Sequence, residues 1–323
     1  MDVLKANDRK GETKGILFAA DSGANLHPMT QVIPRGLIPV YDKPMIYYPL
    51  CTLMLAGIRE ILIVSLPLRL RTFMELLGNG SRLGVSISYT EHPRGRGIGE
   101  ALLAAERFIG GDSVCLILGD TILHGASNSL HDALPCHEGA TIFASQAKSS
   151  NRHASAELDT TENALRLEKQ SKDVLTDYAV TGLYVYDNEV VEIARSLAES
   201  CRGELRISDV NREYLRRGEL RVRRLSHDVT MLEANTGSGL LEAARFIADF
   251  ERRRGLKIGC IEEAAFRMGF ISPERLEQLI HDLPKNSYRD YLVRLLTRSS
   301  KKQPKGTRDR LPDQPSPAVS AVR

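Results

Sequence analysis

Two hydrophobic rhythms alternate through the first 150 residues. Residues 14–20 (KGILFAA) form a short apolar run that ends in a loop of small side chains. Residues 45–56 follow a helical pattern that stops at Gly57, a natural residue just past a helix C-terminus. Residues 60–65 (EILIVS) predict a buried strand, and residues 73–77 close a second helix before Gly78. Residues 84–91 alternate as a strand does, residues 97–108 predict a helix, and residues 114–118 (VCLIL) predict another buried strand. Continuous apolar strands joined by helices imply a parallel sheet covered on both faces. Beyond residue 139 the pattern thickens into strands at 140–144, 154–158, 164–168 and 179–186. After 238 it turns helical, at 240–253, 261–268, 273–280 and 288–296. There is no internal repeat, so the expectation is one α/β domain with a C-terminal helical elaboration.

Composition narrows the class. The chain has 323 residues, 42% hydrophobic and 26% charged, enough for a large core. No run approaches eighteen uninterrupted apolar residues, so no membrane span is expected. The first ten residues lack an apolar segment of the secretory kind. Cys51, Cys115, Cys136, Cys201 and Cys260 are scattered and form no CxxC, which disfavours a disulfide framework or zinc site and suits a reducing cytoplasm. The net charge of +3 is uneven. Residues 299–323 hold six Lys/Arg against two Asp, with four prolines, and predict a disordered basic tail. The rest carries 38 basic against 39 acidic residues, which is no nucleic-acid footprint.

Three loops at strand ends are candidates for chemistry, because ligands of open α/β sheets gather at the carboxyl ends of the strands. Residues 20–26 (ADSGANL) follow the first strand, and small residues there allow backbone N–H groups to face a phosphate. The loop has neither the GxxxxGK[ST] nor the GxGxxG spacing. Asp120 follows a buried strand; it is a Mg²⁺ ligand or simply a turn-forming cap. Glu233, after Met231-Leu232, has the same two readings.

In order, these loops and the segments between them resemble the glucose-1-phosphate thymidylyltransferases, a family of sugar nucleotidyltransferases. The most specific stretches are PVYDKPMIYYPL at 39–50 and LMLAGIREILI at 53–63. Others are LGD at 118–120, AVTGLY at 179–184, RGEL at 202–205, GLKI at 255–258 and CIEE at 260–263. The resemblance runs from about residue 14 to 296. It implies an α/β, Rossmann-like nucleotidyltransferase fold: a mixed, mostly parallel sheet flanked by helices over 14–298, between an N-terminal arm (1–13) and the tail. It also implies a cytoplasmic homo-oligomer, commonly a tetramer. The implied reaction joins dTTP to glucose 1-phosphate with Mg²⁺, releasing pyrophosphate and supplying dTDP-glucose for deoxysugar, rhamnose and surface-polysaccharide synthesis.

Carried over residue by residue, the family's loop GGSGTRL falls on residues 20–26. Its phosphate-binding Arg becomes Asn25 and its second glycine becomes Asp21, while Ser22 and Gly23 remain. The catalytic Lys becomes Arg35, cationic but planar. The metal-binding acids fall on Asp120 and Glu233. The base-reading pair becomes His92 and Gly97. The sugar-binding EEKP reads Glu168-Lys169-Gln170-Ser171, with Gly182 and Tyr184 nearby, and GELEIT reads GELRIS at 203–208. A second nucleotide site used for feedback in the family draws on the segment holding Lys257, Cys260, Glu263 and Arg267. Arg94 and Arg96 stand close enough in sequence to replace lost positive charge. Two readings follow: a thymidylyltransferase with an altered phosphate cradle, or a non-catalytic, nucleotide-binding partner of an active one.

Overall fold

The computed structural model describes residues 13–21, 23–92, 97–134, 138–146, 154–158, 164–169, 178–200 and 203–301. In chain order these begin with β1 (Lys14–Ala19), a small hairpin of β2 (Pro39–Val40) and β3 (Lys43–Pro44), and α1 (Tyr47–Leu55). Next come β4 (Glu60–Ser65), α2 (Pro67–Leu77), β5 (Ser86–Glu91), α3 (Glu100–Ala104), α4 (Glu106–Ile109) and β6 (Val114–Leu118). Then follow β7 (Thr121–His124), α5 (Ser127–His131), β8 (Ala140–Gln146), β9 (Ala154–Leu158), β10 (Ala164–Lys169) and β11 (Tyr178–Tyr186). The chain continues through α6 (Val190–Ser200), α7 (Ile207–Arg217), β12 (Leu220–Arg224), β13 (Thr230–Glu233) and α8 (Gly237–Arg254). It ends in α9 (Ile261–Arg267), α10 (Pro273–Asp282) and α11 (Ser287–Lys301).

The central sheet runs β10-β9-β11-β6-β1-β4-β5, with β8 joined to β11 and β12. Strands β5, β4, β1 and β6 are parallel, and β11 turns antiparallel to β6. In this register Ile16 lies between Leu62 and Leu116, and Phe18 between Val64 and Leu118. Ile16 and Leu17, on opposite faces of β1, are both fully buried, which is why the strand reads as an unbroken apolar run. The carboxyl ends of β1 and β6 therefore lie side by side, and the loops holding Asp21 and Asp120 leave from one edge of the sheet.

The helix predicted over 97–108 begins only at Glu100 and breaks at Ala105 into α3 and α4. Gly97 is left-handed at φ +78°, and a Cβ there would lie 2.2 Å from the Leu205 carbonyl oxygen. Gly97 and Gly99 are pressed against residues 204–206, which leaves the helix to start after them. A two-stranded ribbon, β7 with β13, pairs Glu233 with Thr121 and so sets Glu233 beside Asp120.

The described chain divides into two compact units, with the break between Phe270 and Ile271. Helix α8 belongs to the first, because its buried Ala243 and Ile247 join a cluster with Leu26, Ile38, Val40 and Tyr48. The compact division thus falls later than the change of pattern at residue 238. In the second unit α10 and α11 pack on each other, with the Arg289 guanidinium donating to the Ile280 carbonyl at 3.0 Å.

Under the sheet, buried polar groups are paired. Tyr186 donates to Asn211 at 2.6 Å, and Tyr214 donates to Asp187 at 2.5 Å. The other Asp187 oxygen accepts the Gly139 N–H at 2.6 Å. Tyr214→Phe keeps the ring and removes one bond to a carboxylate, so it should cost about 1–2 kcal/mol. Thermal melting checks this, and an unchanged midpoint would show that the Tyr214 hydroxyl adds nothing.

Candidate active site

The loop after β1 turns at Gly23, which is left-handed at φ +67°. A Cβ on Gly23 would come within 2.5 Å of the Thr30 methyl, so both conformation and space demand glycine. The Gly23 N–H donates to the Asp21 carboxylate at 2.5 Å. Arg35, on the short turn Arg35–Leu37, reaches the same Asp21 oxygen at 3.4 Å and Asp120 at 3.1 Å. One guanidinium thus ties the loop after β1 to the loop after β6.

Asp120 is the electrostatic centre of this group. Burial pushes its carboxyl above the ordinary range; Arg35 opposes that rise, while Asp21 and Glu233 add to it. Two carboxylates, Asp21 and Asp120, therefore share the Arg35 guanidinium, and Glu233 adds a third negative charge beside Asp120. Among the described residues no group of three or more His, Cys, Asp and Glu side chains is arranged to hold a metal ion. Asn25 lies exposed on the short turn Ala24–Leu26 and brings no charge to the loop.

A protein-family model described as nucleotidyl transferase matches residues 14–247. A glucose-1-phosphate thymidylyltransferase of Neisseria meningitidis is 46% identical over 88% of this chain and 99% of its own length. One from Mycobacterium tuberculosis is 43% identical over 88% of this chain and the whole of its own. The chain belongs to the glucose-1-phosphate thymidylyltransferase family. Among solved structures, a Bacillus anthracis protein assigned to the same family, in complex with sucrose, is 32% identical. It matches with a TM-score of 0.68 over 73% of this chain and 95% of its own. A UDP-glucose pyrophosphorylase, 19% identical with a TM-score of 0.64, shares the fold, covering 75% of this chain and all of its own.

For this member of the family, the structure gathers Gly23, Arg35, Asp120 and Glu233 at one edge of the sheet. His92 follows β5; its N–H donates to the Ser65 carbonyl at 2.8 Å, and its ring packs edge-on against Phe18 with centroids 5.6 Å apart. Only 3% exposed, it is a buried residue rather than one presented on the surface. Gly97 meets the RGEL segment, where the Gly99 N–H donates to the Leu205 carbonyl at 3.0 Å. Gly182 lies beneath the Asp120 loop, because a Cβ there would fall 2.2 Å from the Thr121 hydroxyl. Tyr184 is a core side chain, stacked at 6.0 Å on Tyr186. Burial and the Asp120 charge both push its phenol up. Ser22, Gln170, Arg94, Arg96 and the side chain of Lys169 lie outside the described residues.

The segment offered as a second nucleotide site is knitted into its own contacts. Lys257 donates to Asp42 at 2.6 Å and to Glu251 at 2.9 Å, and Lys43 bridges the same two carboxylates. Burial pushes the Asp42 carboxyl up, but Lys257 and Lys43 outweigh it and hold the group below its ordinary value. Cys260 precedes α9, and its carbonyl accepts from the buried Cys51 thiol at 3.9 Å. Arg267 pairs with Glu263 at 2.6 Å. Among the described residues no helix is long and apolar enough to cross a membrane. The sequence reading misses Thr30, whose hydroxyl donates to the Gly23 carbonyl, and Arg69, which donates to the carbonyls of residues 30–32; the one signal for Arg69 is a cation in the first turn of a helix.

Proposed function

We propose that this chain carries out the family's reaction, joining dTTP to glucose 1-phosphate with release of pyrophosphate, and does so slowly. The observation that carries this reading is Arg35 bridged to Asp120 at 3.1 Å beside Glu233, at the strand ends where α/β sheets bind ligands. A phosphate oxygen of the sugar attacks the α-phosphorus in line, the bond to the β-phosphate breaks, and the electron pair leaves with pyrophosphate. Such a step asks the protein for positioning and for positive charge around the phosphates. Here the Gly23 N–H orients a phosphate oxygen, and the Arg35 guanidinium holds charge opposite it. Mg²⁺ takes one or two carboxylates plus phosphate oxygens, so Asp120 and Glu233 fit it; once bound, it offsets phosphate charge.

The slowness follows from Asp21. Its carboxylate rests on the Gly23 N–H and on Arg35, the two donors this reading assigns to phosphate. The incoming nucleotide has to displace an anion that belongs to the loop itself. That same contact favours a second reading, in which the chain binds nucleotide without turnover and serves an active relative as partner. Both readings suit a homo-oligomer working in the cytoplasm on the route to dTDP-sugars.

Purified protein with dTTP, glucose 1-phosphate and Mg²⁺ is expected to release pyrophosphate measurably but slowly. No release, together with a thermal shift on adding dTTP or dTDP-rhamnose, would replace the first reading with the second. Neither signal would end both.

A further inference from the structure

We infer that Arg69, acting through Thr30, is a positioning residue that sets the shape of the loop after β1. The inference rests on the phosphate-binding role proposed for Gly23 and Arg35, and extends it to two side chains outside that cradle.

Apolar burial does not hold residues 29–33. Met29 is 42% exposed, Val32 78% and Ile33 39%. The local structure is a pair of single 3₁₀ turns, Ala24–Leu26 and Met29–Gln31, a geometry with poor hydrogen bonds and little stability of its own. What crosses to this segment from a longer element is Arg69 of α2. Its Nη1 donates to the Val32 carbonyl at 3.0 Å, and its Nη2 to those of Gln31 and Thr30 at 3.1 and 3.4 Å. A planar fork of N–H donors suits successive carbonyls in a way that an ammonium does not. Arg69 also sits in the first turn of α2, at the positive end of the helix dipole, where a cation is disfavoured. Helix stability therefore gives no reason for it; the three carbonyls do.

The clamped segment passes its position on through Thr30. The Thr30 hydroxyl donates to the Gly23 carbonyl at 3.0 Å, which also accepts the Leu26 N–H at 2.9 Å. Both lone pairs of that oxygen are then used. The Thr30 methyl fills the space beside the Gly23 Cα. Held from both sides, Gly23 keeps the left-handed conformation that turns its N–H toward the anion. The path is Arg69 to the backbone of 30–32, to the Thr30 hydroxyl, to Gly23.

The test compares full-length Arg69→Ala, Arg69→Lys, Thr30→Val and Thr30→Ser with the parent chain. Backbone hydrogen exchange over 24–33 is expected to quicken in Arg69→Ala and Thr30→Val, with melting temperatures unchanged. Both variants should weaken dTTP binding by about tenfold, and the double variant by no more than either alone, because they share one path. Thr30→Ser keeps the hydroxyl and should restore binding; Arg69→Lys should restore it only in part. Unchanged exchange in Arg69→Ala, or multiplicative losses in the double variant, would overturn the inference. If the parent chain binds no dTTP, the phosphate reading fails, and exchange at the Leu26 amide in Arg69→Ala alone decides the clamp: faster supports it, unchanged sinks it.

Discussion

Replacing Asp21 by glycine and Asn25 by arginine in one chain is expected to raise turnover with dTTP and glucose 1-phosphate by about 10²–10⁴. The exchange removes one negative charge and adds one positive charge beside a triphosphate. At about 5 Å and an effective dielectric of about 20, each unit charge is worth about 3 kcal/mol, and every 1.36 kcal/mol is tenfold in rate. Solvent trims that figure, since the Asp21 side chain is 42% exposed. Structure adds a second source of gain, because Asp21→Gly alone frees the Gly23 N–H and one side of Arg35. Asp21→Asn separates the two, removing the charge while leaving an oxygen near the N–H. Steady-state kinetics on the three variants checks the argument. A double variant with native melting behaviour and no gain in nucleotide affinity or turnover would show that the cradle's charge is not what limits this chain.

The second large effect concerns stability. Glu251→Ala is expected to cost about 3 kcal/mol and lower the melting midpoint by roughly 5–10 °C. Glu251 accepts from Lys43, from Lys257 and from the Ile258 N–H, and Lys43 is only 2% exposed. Removing this carboxylate leaves buried positive charge under-compensated and a backbone donor to be satisfied afresh. Asp249→Ala, which breaks the exposed pair with Arg252, serves as the control and should fall within about 0.5 kcal/mol of the parent. Asp42 gives the network a pH signature. Its carboxyl lies below the ordinary value when folded, so its contribution is present above the unfolded carboxylate range and is lost as pH falls through the folded value. Calorimetry of the two variants decides, and equal midpoints would rule out the network as a support.

Much of the fold is legible in the sequence where physics leaves one choice. Strands β1, β4 and β6 are covered on both faces, so their apolar runs are unbroken and their positions unambiguous. Strand β12 is harder to find because arginines stand at three of its five positions, and only Leu220 and Val222 turn inward. Helix α7 buries Ile207, Val210, Asn211 and Tyr214, a helical stripe in which one member is polar and looks like surface. The late start of α3 depends on the Leu205 carbonyl, about a hundred residues downstream, which no local pattern reports. The candidate site divides in the same way. Resemblance places Gly23, Arg35, Asp120 and Glu233, and the fold brings them together. That Asp21 folds back onto its own loop, and that Arg69 reaches three carbonyls from another helix, are matters of tertiary geometry with no signature in spacing.

The position of β1 has a consequence for how the polypeptide assembles. Strand β1 is flanked by β4 on one side and β6 on the other, and β6 in turn waits for β11. A growing chain therefore leaves β1 without its β4 neighbour until residue 65 has emerged, keeps its other flank open until residue 118, and leaves the edge of β6 open until residue 186. Pairings so distant in sequence are slow to find and prone to aggregate meanwhile. Helper proteins that shield nascent strands, and a low synthesis temperature, should matter more for recovering this protein than for one whose sheet grows from neighbouring hairpins.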